Sequence, residues 1–66
     1  MTQYFRDGDI YYFVVKVEDG VAMNWNYRTQ KWESTEEAKD VAADIYSHVE
    51  IGDGDAKNII REYSKE

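Results

Sequence analysis

Ile10-Tyr11-Tyr12-Phe13-Val14-Val15-Lys16-Val17-Glu18-Asp19-Gly20-Val21-Ala22-Met23-Asn24-Trp25-Asn26-Tyr27-Arg28 holds two β-patterned segments joined by a turn, and the architecture follows from them. Residues 10–17 are almost all β-branched or aromatic, which predicts a strand that is apolar on both sides, as a central strand is. Glu18-Asp19-Gly20 breaks it. From residue 21 to 32 the chain alternates, with Val21, Met23, Trp25 and Tyr27 on one side and Ala22, Asn24, Asn26 and Arg28 on the other. That alternation predicts a half-buried strand.

The turn sets the register of this hairpin. A two-residue turn at Asp19-Gly20 pairs Lys16 with Met23 and Glu18 with Val21. A three-residue loop pairs Val17 with Val21, Val15 with Met23, Phe13 with Trp25 and Tyr11 with Tyr27. The second alternative collects four apolar pairs on one face, and a one-residue slip loses all of them. It is therefore the expected register, with Gly20 in the left-handed region as a G1 bulge.

On the N-terminal side, Arg6-Asp7-Gly8-Asp9 is a turn signal. Gln3-Tyr4-Phe5 before it can form a short first strand, with Tyr4 opposite Tyr11. On the C-terminal side, Ser34-Thr35-Glu36-Glu37 reads as a capping box led by Ser34, and Trp32 as a staple-like residue over the helix start. A helix is expected from about Thr35 to Val49, with Ala38, Val41, Ala42, Ile45 and Val49 as its apolar stripe. Ile51-Gly52-Asp53-Gly54 stops it. Asp55 then caps a second helix with Ala56, Ile59, Ile60 and Tyr63 on its apolar side and Lys57, Arg61 and Lys65 among its polar residues. The expected fold is α+β: a three-stranded antiparallel β-meander followed by two α-helices packed on one sheet face, forming a single domain over residues 1–66.

Composition narrows the function classes. Sixty-six residues support one small core. With no cysteine, neither a disulfide nor a thiolate metal site can staple it, and six Tyr, two Trp and two Phe must supply most of the buried area. Homodimerisation is a second source of stability. No apolar run is long enough to span a membrane, and the N-terminus has no signal-peptide character. Met1-Thr2-Gln3 reads as a native start, and the lack of cysteine fits a cytoplasmic location. Net charge is −6. Residues 1–33 hold five acids and four bases, giving −1, whereas residues 34–66 hold nine acids and four bases, giving −5. An acidic chain repels phosphate, so general nucleic-acid binding is disfavoured.

No catalytic constellation emerges, no cofactor is expected and no metal site is expected. His48, the single histidine, sits where a helix C-terminus favours a partial cation and lacks a nucleophile at a useful spacing. Asp53-Gly54-Asp55 begins like a calcium loop, but position six is Asn58 and position twelve is Ser64, so a turn and a helix cap explain it better.

Two surfaces remain as binding candidates. Glu37, Asp40 and Asp44 fall at i, i+3 and i+7 of the expected first helix, with Glu36 beside them, and form an acidic ridge suited to a basic protein surface, including one that binds nucleic acid. Tyr12, Asn24, Asn26 and Arg28 fall on the sheet face opposite the four apolar pairs and suit adaptable hydrogen bonding, although the second helix could cover this face instead. The expected function is a non-enzymatic acidic protein-binding module. The hairpin running into Lys31-Trp32-Glu33-Ser34 and then Thr-Glu-Glu-Ala resembles, at the level of fold alone, small bacterial and phage proteins; the small size, acidic ridge and aromatic sheet make an accessory or inhibitor role the expected form of the module. The alternative is single-stranded nucleic-acid binding through Tyr12, Arg28 and Trp32 on an aromatic sheet face.

Overall fold

The computed structural model describes residues 2–45 and 47–64. Its elements run β1 (Thr2–Asp7), β2 (Val14–Glu18), β3 (Val21–Asn26), β4 (Lys31–Glu33), α1 (Glu36–Ala42), β5 (His48–Ile51) and α2 (Asp53–Tyr63). The α+β class holds. The sheet is antiparallel throughout with five strands in the order β4-β3-β2-β1-β5, so the meander extends to four strands and β5 returns beside β1.

The two helices do not share a sheet face, which corrects the expected arrangement. Successive strand residues point to opposite sides, and Val14 and Val15, both 0 % exposed, enter two different cores. Val15 packs with Ala22, Ala38 and Val41, and with Phe5, Phe13 and Val17 around them, under α1. Val14 packs with Ala56 and Ile59, and with Tyr4, Trp32, Ile51 and Ile60, under α2. A strand apolar on both sides is one buried on both sides. The sequence did carry that signal in Val14-Val15.

The same fact overturns the expected register. Lys16 pairs with Met23, Val17 with Ala22 and Glu18 with Val21. The turn has two central residues, Asp19 (φ 52°) and Gly20 (φ 78°), both in the left-handed region. That is the signature of a type I′ turn, whose twist matches that of the strands. The number of apolar pairs on one face does not discriminate the two registers, because Val14 and Val15 are buried on opposite faces and the sheet has a core on each side. The positive φ of Gly20 itself is as expected.

Other boundaries move too. Ile10–Phe13 is not strand. Asp7 Oδ1 accepts the N–H groups of Asp9 and Ile10, and Asp7 N–H donates to Phe13 C=O, closing a loop before β2. β1 is consequently longer than expected and pairs Tyr4 with Lys16 rather than Tyr11. The 21–32 strand is a second hairpin, β3-β4, turned at Tyr27–Gln30: Asn26 Oδ1 accepts from Arg28 and Thr29 N–H, and Gln30 adopts φ 58°.

The expected 35–49 helix ends at Ala42. Asp44 N–H donates to Val41 C=O and Ile45 N–H to Asp40 C=O, with Asp44 at φ 58°. This is a Schellman motif with aspartate where glycine is usual. Val49 of the expected apolar stripe therefore lies in β5, and Tyr46 lies outside the described residues. The N-cap is Thr35, not Ser34: Thr35 Oγ1 accepts from Ala38 N–H. In α2 the helix begins two residues before the expected cap. Asp55 lies in its first turn, and Gly52 is an N-cap without a side-chain bond. Lys65 lies outside the described residues.

Candidate functional site

The residues expected to act together are distributed over both faces. Asn24 pairs with Val15 and so points to the α1 side. There its Oδ1 accepts from the Thr35 hydroxyl, which ties β3 to the α1 N-cap. Asn26, on the same side, holds the β3-β4 turn and donates through Nδ2 to Glu33 Oε1 at 2.9 Å. Both asparagines thus have structural partners despite poor strand propensity. Arg28 is exposed in the turn. Tyr12 lies in the loop before β2 and joins the α2 side, where its carbonyl accepts from the Tyr27 hydroxyl at 2.6 Å. The structure does not bring these four side chains onto one face.

The acidic ridge is also divided. Glu36 and Glu37 are exposed in the first turn of α1, with Lys39 3.9 Å from Glu36. Asp44 lies beyond the helix end, with Oδ1 3.9 Å from His48 Nε2, so the expected line through Glu37, Asp40 and Asp44 stops at Asp40. Glu37 and Asp40 meet a different residue instead. They line a notch of about 170 Å³ with Asp7, over a floor of Ile10, Phe13 and Val41. The loop after β1 and the helix α1 meet at this notch. Its members Asp7, Ile10 and Phe13 were not expected from sequence. Asp7-Gly8 had only the signature of a turn, and the long hydrogen-bonded return from Asp7 to Phe13 is what brings Ile10 and Phe13 in beside the aspartate.

His48 is fully occupied. Its ring stacks on Phe5 with centroids 4.6 Å apart, and Nδ1 hydrogen-bonds Val41 C=O at the C-terminal end of α1. A histidine there satisfies one of the carbonyls that the helix end leaves open. Among the described residues no group of three His, Cys, Asp or Glu side chains could hold a metal ion. No helix among them is long and apolar enough to cross a membrane.

The α2 side carries an aromatic surface larger than the sequence suggested. Trp25 and Trp32 meet edge to face across β3-β4, Lys16 Nζ lies 4.7 Å from the Trp32 ring centre, and Tyr4 tilts against the same indole. The Trp25 N–H is buried with no acceptor among the described residues. Toward the other end, Tyr63 of α2 packs on Tyr11 and Tyr12, Tyr12 on Tyr27, and Arg6 over Tyr11. Burial pushes the Tyr27 phenol up to about 12, with Tyr63 and Tyr12 adding to the rise. Burial also raises Tyr4, helped by its hydrogen bond to Asp53. Asp53 is lowered in turn, first by Lys57 and then by Tyr4.

No family model matches the chain, and no curated protein or solved structure matches it.

Proposed function

We propose that the protein is a non-enzymatic protein-binding module that takes a basic side chain of its partner in the notch between the 8–13 loop and α1. The observation that carries this reading is the convergence of Asp7, Glu37 and Asp40, from two separate segments, around the apolar floor of Ile10, Phe13 and Val41. An arginine or lysine side chain needs both parts: an apolar bed for its methylenes and carboxylates for its charged head. The net charge of −6 adds long-range attraction for a basic partner and speeds encounter. An accessory or inhibitor protein that covers a basic, nucleic-acid-binding surface is a specific form of this function. Asp44, set apart from the notch, contributes only to the general field.

Titration of the labelled protein with an arginine-rich peptide, followed by NMR, tests this. The amides of Asp7, Ile10, Glu37 and Asp40 should shift together. The double variant Glu37→Gln/Asp40→Asn should associate more slowly, with a flatter salt dependence, whereas Asp44→Asn should change little. Unchanged rates and salt slope in the double variant would rule out the notch.

A second reading has its own observation, the half-exposed Trp25, Trp32 and Tyr4 with Lys16 on one sheet face. Aromatic platforms with a cation suit stacking of single-stranded bases. Titration with oligothymidine separates the two, since it would shift the amides of β3 and β4 and leave Glu37 and Asp40 in place.

A further inference from the structure

The two edges of the sheet are unlike. β4 is three residues long and presents exposed Lys31, a common way of blunting an edge. β5, His48-Val49-Glu50-Ile51, holds neither lysine, arginine nor proline, and Val49 is 41 % exposed.

The direction of the β5 backbone follows from its neighbours. Asp7 N–H bonds toward β2, to Phe13 C=O. Backbone direction alternates along a strand, so Arg6 and Tyr4 face β5, and their partners Val49 and Ile51 face back toward β1. The bond from Gly8 N–H to Ser47 C=O agrees with this phase. His48 and Glu50 therefore turn their N–H and C=O groups outward, two residues apart, at the spacing of an antiparallel ladder.

We propose that this edge pairs with β5 of a second copy of the chain, about a two-fold axis at Val49. In that register His48 of each copy stands opposite Glu50 of the other as a hydrogen-bonded pair. Four main-chain bonds form, and Val49 meets Val49 at the axis. His48 and Glu50 lie on the α1 side, so each Glu50 carboxylate stands opposite the half-buried His48 of the other copy and no like charges meet across the axis. Val49 lies on the α2 side, where it lines an open cleft of about 530 Å³ together with Arg6, Glu50, Ile51 and Ile59. Neighbouring registers are worse. A shift of two residues sets Glu50 against Glu50 or His48 against His48, and a shift of one mismatches the pleat. A two-fold interface needs only this one self-complementary patch. The result is a continuous ten-stranded sheet with both α2 helices on one side.

The chain has no cysteine, so a single introduced thiol reports the register without ambiguity. In a non-hydrogen-bonded antiparallel pair the Cα atoms stand about 4.5 Å apart, within disulfide range, whereas Glu50 and its own copy are staggered beyond about 7 Å. Under mild oxidation Val49→Cys should form a covalent dimer at least about ten-fold faster than Glu50→Cys. By sedimentation at hundreds of micromolar, the wild-type chain should move from 7.8 kDa toward twice that mass. Val49→Lys should stay monomeric there with its far-UV spectrum and melting curve retained. Glu50→Lys, which keeps Val49 but places a lysine on the edge, should weaken the dimer. A wild-type chain that remains at 7.8 kDa overturns the proposal. So does a dimer that Glu50→Cys traps as fast as Val49→Cys, or one that survives Val49→Lys unchanged.

Discussion

The two helices sit on opposite sides of one short strand, each with a buried stripe, and differ in how their ends are tied. α1 has seven residues, too few to persist alone. Ala38 and Val41 pack it against Val15, and both ends are tied as well: Thr35 caps it while bonded to Asn24, the Asp44 turn closes its carbonyls, and His48 takes the Val41 carbonyl. α2 has eleven residues and no side-chain bond at its N-cap. It is held along its length by Ala56, Ile59, Ile60 and Tyr63 against Val14, Ile51 and the tyrosines. Hydrogen bonds at the ends specify where a helix starts and stops, while a packed stripe specifies only which side faces inward. The helix with well-defined ends is accordingly the one whose limits depend on distant residues.

This contrast can be broken most sharply in the α2 stripe. Ile59→Ala should cost about 2–5 kcal/mol, the range for truncating a buried isoleucine. In a domain with stability of only a few kcal/mol, that should detach α2 or unfold the chain. Chemical denaturation with hydrogen exchange along α2 measures both outcomes. Undiminished protection of α2 would show that its ends, not its stripe, hold it.

The α1 cap is the next largest effect. Thr35→Ala should destabilise by about 0.5–2 kcal/mol, and Ser34→Ala by far less, because Thr35 makes the bond to Ala38. Combining Thr35→Ala with Asn24→Ala should cost less than the sum of the two, since the pair shares one hydrogen bond. Full additivity in that cycle would separate the sheet from the cap.

At the other end of α1, Asp44→Gly should stabilise by about 0.5–1 kcal/mol by relieving the left-handed conformation, after loss of the long contact to His48. A lower melting temperature would mean that the carboxylate matters more than the backbone.

The smallest effect is a pH dependence on the α2 side. The fold raises the Tyr27 phenol to about 12 and so favours its neutral form, which donates to the Tyr12 carbonyl. The stabilisation is fully present below about pH 10, the ordinary tyrosine value, and is lost as pH rises through about 12. Solvent at the rim of the cluster screens much of it. Tyrosinate absorbance should show a late-titrating group that Tyr27→Phe removes, and the variant should lose this alkaline part of the stability profile.

The α+β class, the apolar double-sidedness of Val14-Val15, the Asp19-Gly20 reversal and the apolar stripe Ala56-Ile59-Ile60-Tyr63 are all legible in the residues alone. Each rests on a local pattern: residue type, alternation or helical spacing. Which helix covers which face is settled only by long-range packing, because Val14 and Val15 are equally buried and neither names its cover. That packing also set the hairpin register, since a two-sided strand removes the penalty that usually fixes one. It ended α1 at an aspartate, where neighbouring β1 gains a strand by pairing with residues 48–51 that would otherwise have continued the helix pattern. The notch was hidden for the same reason. Asp7 and Asp40 stand 33 positions apart in the chain, and only the folding of β1 and the 8–13 loop against α1 brings both residues to the rim of one apolar floor.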